Sequence, residues 1–503
     1  RVNYNYKDIY LLELNGRYDG SSRFPAGKKW AFFPSGSLGY RFTEEPYWNH
    51  LHQYVSNGKF RLSYGEIGNE AVGDNMFLST ISPVDQSKLY WLDGTGAKVN
   101  QFDLPTWVSS QLTWERIYTF DLGTDLSFFN DELTLTADWY QRTTKDMLAP
   151  GNAIPSAVGA AAPYTNAGQL RTRGWEITLS WRKQMNKDLG LYANFDIGDS
   201  KSVVTKWNNS SKLIGHTGDR TYAYKGETWG DIWGFQTDRY FTENDFNGQN
   251  TDGSWNYKKG VADQTGIQTD NFVYGPGDIK FKDLNHDGKI DGGKGTADDH
   301  GDLKVIGNTM PRYEYSFHVG GSYKGFDLDI FFQGVGKRDM WTLSSFAFPE
   351  MRAADLAIYS NQTKYNVYDP ANGIVNISEK NDFPCLYAGN EAAGNVNALA
   401  SSKGCHNYYP QSKYLVNMSY LRLKNITLGY TLPGFISKKF YIQKLRIYFS
   451  GSNLFLLHKG NGDLPVDPEV NDASAGDTSL QYGTWGRTYP ITRTWSFGVQ
   501  LTL

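Results

Sequence analysis

Only two cysteines, Cys385 and Cys405, occur in 503 residues, which excludes a zinc ribbon, a thiolate cluster and a disulfide-built scaffold. No apolar run approaches the roughly 18 residues of a membrane-crossing helix, and mean hydropathy is only -0.54. Neither sign of charge dominates: 50 Lys and Arg stand against 53 Asp and Glu, a net charge of -3 that offers no basic field to nucleic acid. Catalytic signatures are missing as well. There is no P-loop, no GxSxG elbow, no HExxH pair and no Cys/His cluster, and the eight His residues are scattered. Carboxylates abound, but the sequence fixes no separation between any two, so no glycosidase pair can be drawn and no enzyme is expected. An initiating Met and a signal peptide are also absent, and Arg1 opens directly onto the alternating run Val2-Asn3-Tyr4-Asn5-Tyr6. We therefore expect these residues to be the later part of a longer precursor.

What is abundant is alternation. In residues 133–141, Leu133, Leu135, Ala137 and Trp139 fall on one side of an extended chain, and Thr134, Thr136, Asp138 and Tyr140 on the other. The pattern returns at Ile177, Leu179 and Trp181, at Leu191, Ala193, Phe195 and Ile197, and at Leu445, Ile447 and Phe449. It is clearest at the end, where Trp495, Phe497, Val499, Leu501 and Leu503 alternate with Ser496, Gly498, Gln500 and Thr502. Such runs supply the roughly 9–11 residues with which a tilted strand crosses a bilayer. A transmembrane β-barrel also reconciles low hydropathy with a membrane, because only half of each strand meets lipid. It gives the 15% aromatic content a place, in girdles at the two interfaces.

Turn signals divide the chain into about 13 strands, near 1–7, 9–23, 30–42, 58–68, 117–129, 132–147, 169–184, 189–204, 312–324, 326–338, 419–430, 442–452 and 493–503. Tight turns at Lys7-Asp8, Asn130-Asp131, Asn186-Lys187-Asp188 and Lys324-Gly325 alternate with long connections at 69–116, 148–168, 205–311, 339–418 and 453–492. Outer-membrane barrels are built this way, with short periplasmic turns and long extracellular loops. The connections at 24–29 and 43–57 obey the parity but not the length rule. The apolar phase slips near Asn425, from Leu421 and Leu423 to Ile426, Leu428 and Tyr430, which predicts a bulge. An odd number of strands cannot close on itself in hydrocarbon, so further strands are expected from elsewhere in the precursor.

Several long strings carry a family resemblance: NGRYDGSSRF (15–24), WAFFPSGSLGYRFTEEPYW (30–48), RLSYGEIGN (61–69), RGWEITLSW (173–181) and GPGDIKFKDLNHDGKID (275–291). They continue with VIGNTMPRYEYSFHVGGSYKGFDLDIFFQGVGKRD (305–339), YLRLKNITLGYTLP (420–433), SGSNLF (450–455) and TWSFGVQLTL (494–503). In this order they resemble the C-terminal part of the SusC-like TonB-dependent transporters of Bacteroidota. The resemblance covers essentially the whole chain. It implies an outer-membrane barrel of about 22 strands, with about nine strands, a plug and the TonB-contacting region lying upstream. It also implies a SusD-like surface lipoprotein as lid, energy from TonB with ExbB and ExbD, and import of an oligosaccharide. Oligopeptide import, or a surface receptor or adhesin barrel that does not transport, are the alternatives. The terminal Leu503 departs from the aromatic that ends many such barrels.

One motif is chemically explicit. Asp283, Asn285, Asp287 and Asp291 stand at positions 1, 3, 5 and 9 of a calcium loop, with Gly288 at 6 and the Lys289 carbonyl at 7. Lys294 stands at position 12, where a carboxylate belongs. By the resemblance, Asp302 closes the site after an inserted GGKGTADD, with Asp298 and Asp299 as alternatives. Ca2+ is the expected ion, as a structural staple. The other reading is a self-bonded Asx turn without metal. Cys385 and Cys405 share one long connection and are expected to form a disulfide outside the inner membrane, two unrelated thiols being the alternative.

Substrate contact is expected from loop aromatics: Trp91, Trp107, Trp229, Trp233, Trp255, Tyr274, Trp341 and Tyr387. Flat rings stack on sugars. They equally pack loops together. Trp139, Trp175, Trp181 and Trp495 belong instead to the lipid-facing belt.

Overall fold

Apolar side chains at every second position need a partner for their backbone amides and a surface for their faces, and a single antiparallel sheet supplies both. The computed structural model describes residues 1–503 except 75, 85–100, 150, 152–154, 156, 158–161, 216–221, 269–271, 343–345, 350–358, 387–406, 408, 438, 440, 470–485, 487–488, 490 and 503. Its principal sheet has 13 strands, each hydrogen-bonded to the next in chain order. They are β1 (Val2–Tyr6), β2 (Tyr10–Gly20), β3 (Trp30–Tyr40), β4 (Val55–Asn69), β5 (Glu115–Phe128), β6 (Leu133–Ala149) and β7 (Thr165–Gln184). They continue with β8 (Leu189–Lys206), β9 (Arg312–Tyr323), β10 (Phe326–Lys337), β11 (Tyr420–Thr431), β12 (Lys444–Lys459) and β13 (Thr494–Thr502). All 13 expected segments are present.

Contacts divide the chain into two compact units. The first holds Arg1–Leu179, Ser200–Ser211 and Ala223–Thr228, and the second Ser180–Asp199, Lys212–Tyr222 and Trp229–Leu503.

In the first unit the register aligns side chains into rows. Tyr6, Tyr10, Tyr40 and Phe60 follow one another across β1–β4, and Tyr4, Leu12, Leu38, Leu62, Leu122 and Trp139 form the next row across β1–β6. Eight residues further along β2, Tyr18 stacks on Trp30 at 5.3 Å. The Tyr6–Phe60 row and the Tyr18–Trp30 pair, eight residues or roughly 26 Å apart along β2 from Tyr10 to Tyr18, therefore border an aliphatic band, as lipid-facing girdles do. Leu38, Phe60, Leu122 and Trp139 are exposed. In water such a face would be a liability, whereas in lipid it is the favoured arrangement. The opposite face is polar: Arg61 bridges Asp125 at 2.8 Å and Asp138 at 2.9 Å across three strands.

The second unit repeats the division. Phe449, Trp495, Phe497, Val499 and Leu501 are exposed on β12 and β13, with Phe449 stacked on Trp495 at 5.2 Å. The expected bulge is on β11, where Lys424 has no partner on β10 or β12 and the register shifts beside it. One extra residue lets Leu423 and Ile426 share a face.

The tight turns use left-handed backbone at Lys7, Asp8, Asn130, Asp131 and Lys324. Asn and Asp tolerate this at little cost, and Gly325 (φ +89°) carries the second half of the last turn without strain. At the other end of the strands the long connections fold into buried cores. Phe24, Phe33, Leu112 and Trp114 pack together in the first unit. The largest core lies in the second, around Phe235, Tyr240, Phe241, Phe246, Tyr274, Ile279 and Phe281.

Candidate functional site

Two surfaces carry chemistry: the polar face of the sheet and the loop lobe of the second unit. On the polar face of the second unit, Tyr192 Oη donates to Asp329 Oδ2, and His318 Nε2 lies 2.6 Å from the same oxygen. Asp327 pairs with Arg446 across Gly429, whose missing side chain makes room for both. Arg182, Gly190, Ser322 and Thr427 complete an open cavity of about 480 Å³ around these groups. A comparable depression in the first unit, about 360 Å³, is lined by Glu13, Asn15, Arg17, Ser35, Ser37, Ser63 and Glu66. Hydroxyls and matched charges make both surfaces good hydrogen-bonding partners for a polar solute. Neither depression holds a nucleophile oriented by a base and a third group, as covalent catalysis requires.

The lobe is assembled from two connections, 205–311 and 339–418. Asp231–Phe235 pairs with Leu303–Asn308, and Thr237–Tyr240 with Ile279–Phe281. The string GPGDIKF acquires its meaning here. Asp278 is fully buried; its carboxylate accepts the Gly275 amide at 2.9 Å and the Asn407 side chain at 2.8 Å. Fully buried Gln264 accepts the Phe281 amide at 2.6 Å and donates to the Ile279 carbonyl at 3.1 Å. Tyr240 reaches the Asn381 carbonyl (3.0 Å) and Tyr409 the Ile267 carbonyl (3.0 Å), so the second connection is fastened to the first. Asp278, Gln264 and Asn407 escaped the sequence reading because buried loop polars carry no periodic signal.

Asp245 joins the lobe's charge network. Its carboxylate takes two hydrogen bonds from Arg239, at 2.7 and 2.5 Å, and the Thr242 amide at 2.8 Å. Burial pushes this carboxyl up, but Arg239 and the Thr242 amide outweigh it and hold the group at about 2.

The calcium-like loop has the backbone of one. His286 (φ +62°) and Gly288 (φ +82°) make the sharp turn, and Ile290 at position 8 is fully buried in the lobe core. A short bridge ties the loop to residue 263: the Asp263 amide donates to the Gly288 carbonyl (2.9 Å) and the Ile290 amide to the Asp263 carbonyl (2.8 Å). The donor side chains are turned onto the loop's own amides. Asp283 accepts those of His286 (2.6 Å) and Gly288 (2.9 Å), Asn285 that of Asp287 (3.0 Å), Asp287 that of Lys289 (2.8 Å) and Asp291 that of Gly293 (2.8 Å). Asp302 is beside the loop and fully buried, and like Asp283 it accepts backbone amides on both oxygens, from Leu284 (2.7 Å) and Asp291 (3.0 Å). Burial raises its carboxyl, and those amides pull it back. Among the described residues, no three His, Cys, Asp or Glu side chains gather as a metal-holding group.

The described members of the expected aromatic set have different surroundings. Trp91 and Tyr387 lie outside the described residues. Trp107 is exposed in the first unit. Tyr274 is fully buried among Phe241 and Phe272, so it serves packing rather than a ligand. Trp255 packs on Phe246 (5.1 Å) and Trp341 on Phe348 (5.7 Å), both half-buried. Trp229 is half-buried, its carbonyl accepting the Asn308 side chain at 3.1 Å. Trp233 lies 5.3 Å from the His300 ring, and among the described residues its buried Nε1 has no acceptor. Among the described residues Cys385 has no disulfide partner; its buried thiol donates to the Pro276 carbonyl at 3.7 Å, and burial pushes its pKa up. Cys405, its expected disulfide partner, lies outside the described residues.

A sequence profile described as "TonB dependent receptor-like, beta-barrel" matches residues 1–257, just over half of the chain. The chain belongs to this family. The TonB-dependent receptor P3 of Formosa agariphila is 28% identical over all of the chain and 45% of its own length. The TonB-dependent receptor SusC of Bacteroides thetaiotaomicron is 25% identical over all of the chain and 43% of its own length. The chain thus spans less than half the length of these relatives. Among solved structures, the RagAB peptide transporter superposes with a TM-score of 0.69 over 99% of the chain and 46% of its own, at 20% identity. That likeness concerns the fold. The TonB-dependent receptor barrel resides in the outer membrane, where an exposed apolar face with aromatic borders is the arrangement that lipid favours.

Proposed function

We propose that this barrel segment belongs to an energised importer of the outer membrane, and that its cargo is an oligosaccharide delivered beneath a SusD-like lipoprotein lid. TonB, with ExbB and ExbD, would supply the energy through parts of the protein outside these residues. The observation that carries this reading is the division of the sheet: one face apolar with aromatic borders, the other lined by Ser35, Ser37, Ser63, Tyr192, Asp329 and paired arginines. A transport wall needs a polar inner face along which a hydroxyl-rich solute exchanges hydrogen bonds with water and protein at little net cost. The lobe, held rigid by its own core, supplies the outer mouth.

The same reading includes Ca2+ as a staple of the 205–311 connection. Asp283, Asn285, Asp287, Asp291, Asp302 and the Lys289 carbonyl would hold it, since each carboxylate or amide side chain keeps a lone pair beyond the amides it accepts. A disulfide between Cys385 and Cys405 would close the second connection in the same oxidising setting.

The test is uptake of fluorescent oligosaccharide and oligopeptide pools by source cells with and without the intact gene, and with TonB disabled. Loss of glycan uptake in both mutants supports the reading. Loss confined to peptides replaces the cargo, and binding that persists without TonB-dependent uptake replaces the importer with a receptor.

A further inference from the structure

Between β3 and β4 the chain spends residues 41–54 on a connection that a two-residue turn would close, as Lys7-Asp8 does between β1 and β2. The extra residues are ordered. Two 3-10 turns, Phe42–Glu44 and Pro46–Trp48, lead into further turns in which Leu51 donates to the Trp48 carbonyl (2.8 Å) and Tyr54 to the Leu51 carbonyl (2.9 Å). Both neighbouring turns grip the segment. The Arg41 amide donates to the Ile9 carbonyl at 2.9 Å, the Phe129 amide to the Tyr54 carbonyl at 3.2 Å, and Ser56 Oγ to Asp131 at 2.9 Å.

The segment is folded against the apolar side of the sheet. Gly58 shares that side with Phe60 and Leu126, and the Phe42 ring lies over it so closely that a Cβ there would enter the ring. Phe60 and Trp48 hold the ring at 5.0 and 4.8 Å, while Thr43 Oγ1 accepts the Gly58 amide at 3.0 Å. Tyr47 Oη lies 2.7 Å from Tyr40 Oη, joining the connection to the row Tyr6, Tyr10, Tyr40 and Phe60. Yet its own apolar groups face outward: Tyr47 is 61% exposed, Leu51 44% and Tyr54 56%. A well-fastened turn that displays Tyr, Leu and Tyr gains nothing in water. Set beside an aromatic girdle, it gains what amphipathic aromatics gain at the boundary between headgroups and acyl chains.

We propose that residues 41–54 are an interfacial foot, seated in the leaflet that borders the short turns, with glycerophospholipid as its partner. Tyr47, Leu51 and Tyr54 enter the acyl boundary, and Arg41, Glu44 and His50 stay among the headgroups. Continuity with the lipid-facing tyrosine row fixes the occupant as lipid rather than protein. Short turns are periplasmic, which makes this the phospholipid leaflet.

The test uses the intact protein in nanodiscs of phosphatidylethanolamine and phosphatidylglycerol, with Cys385→Ser, Cys405→Ser and a nitroxide on Leu51→Cys. Lys187→Cys, in a short turn without apolar residues, is the aqueous reference. The expected result is an oxygen-to-nickel-chelate collision ratio several-fold higher at position 51 than at position 187; equal ratios overturn the proposal. Should the cysteine variant not fold, amide exchange of residues 41–54 in the unaltered protein decides it. Slower exchange in nanodiscs than in amphipol supports the foot, and equal rates overturn it.

Discussion

Asp245 illustrates how single residues set the lobe's tolerance. Its folded pKa of about 2 lies below the unfolded value of about 3.9, so its contribution is complete above that value and fades as pH falls towards 2. The difference corresponds to about 2–3 kcal/mol, and the side chain is only 4% exposed, so solvent screens little of it. Asp245→Asn should therefore loosen the lobe at pH 6 and flatten its acid limb, read as amide exchange of residues 239–258 between pH 6 and 2.5. Asp283 sets a second expectation. Free Ca2+ at a hundredfold excess over its dissociation constant should stabilise the 205–311 connection by about 2.7 kcal/mol, and Asp283→Asn should abolish the gain. Equal thermal midpoints in Ca2+ and in EDTA would leave the Asx turn as the whole of the motif. At this scale the sequence was half legible. Spacing alone located the loop and its left-handed Gly288. It could not show that Asp302 turns both oxygens onto amides, nor that Tyr274 is buried, because an isolated loop aromatic looks the same in a core and on a ligand surface.

Elements were the most legible scale, because period-two alternation reports the face that a strand offers to lipid. The bulge beside Asn425 was visible as a phase slip, and Lys424 is the inserted residue. The connection at 41–54 was visible only as a length anomaly, since 3-10 turns impose no period by which to recognise them. Two expectations belong here. Gly58→Val would force the Phe42 ring off the strand, an overpacking cost of about 1–3 kcal/mol that should lower the temperature at which the folded band disappears on a gel. On β11, Arg422 is buried and pairs with Asp467; its Nε also lies 2.9 Å from Glu469 Oε2 without hydrogen-bond alignment. Arg422→Met would leave Asp467 uncompensated while Glu469 keeps Lys424, at a cost on the order of 3 kcal/mol. Exchange should quicken in residues 461–469 while β11 and β12 keep their protection.

For the molecule as a whole, the sheet and the lobe solve different problems with different signals. Wall strands exchange hydrogen bonds with their neighbours in chain order, so each pairing joins successive strands and can be read from their order and alternation. The lobe depends on contacts between distant residues, such as Asp278 with Asn407 and Tyr240 with Asn381, for which one sequence holds no pattern. Its shared core has a practical consequence for anyone who wishes to change what such a barrel admits. Neither 205–311 nor 339–418 is a module by itself: transplanting one from a relative would break the packing of Ile377, Tyr409 and Tyr414 against the core of the first connection. A graft of both together should yield folded protein with the donor's selectivity, and either alone should be lost to proteolysis during assembly, as measured by surface protein level and uptake. If the proposed function holds, the heritable unit of specificity in this chain would be a pair of loops separated by the β9–β10 hairpin.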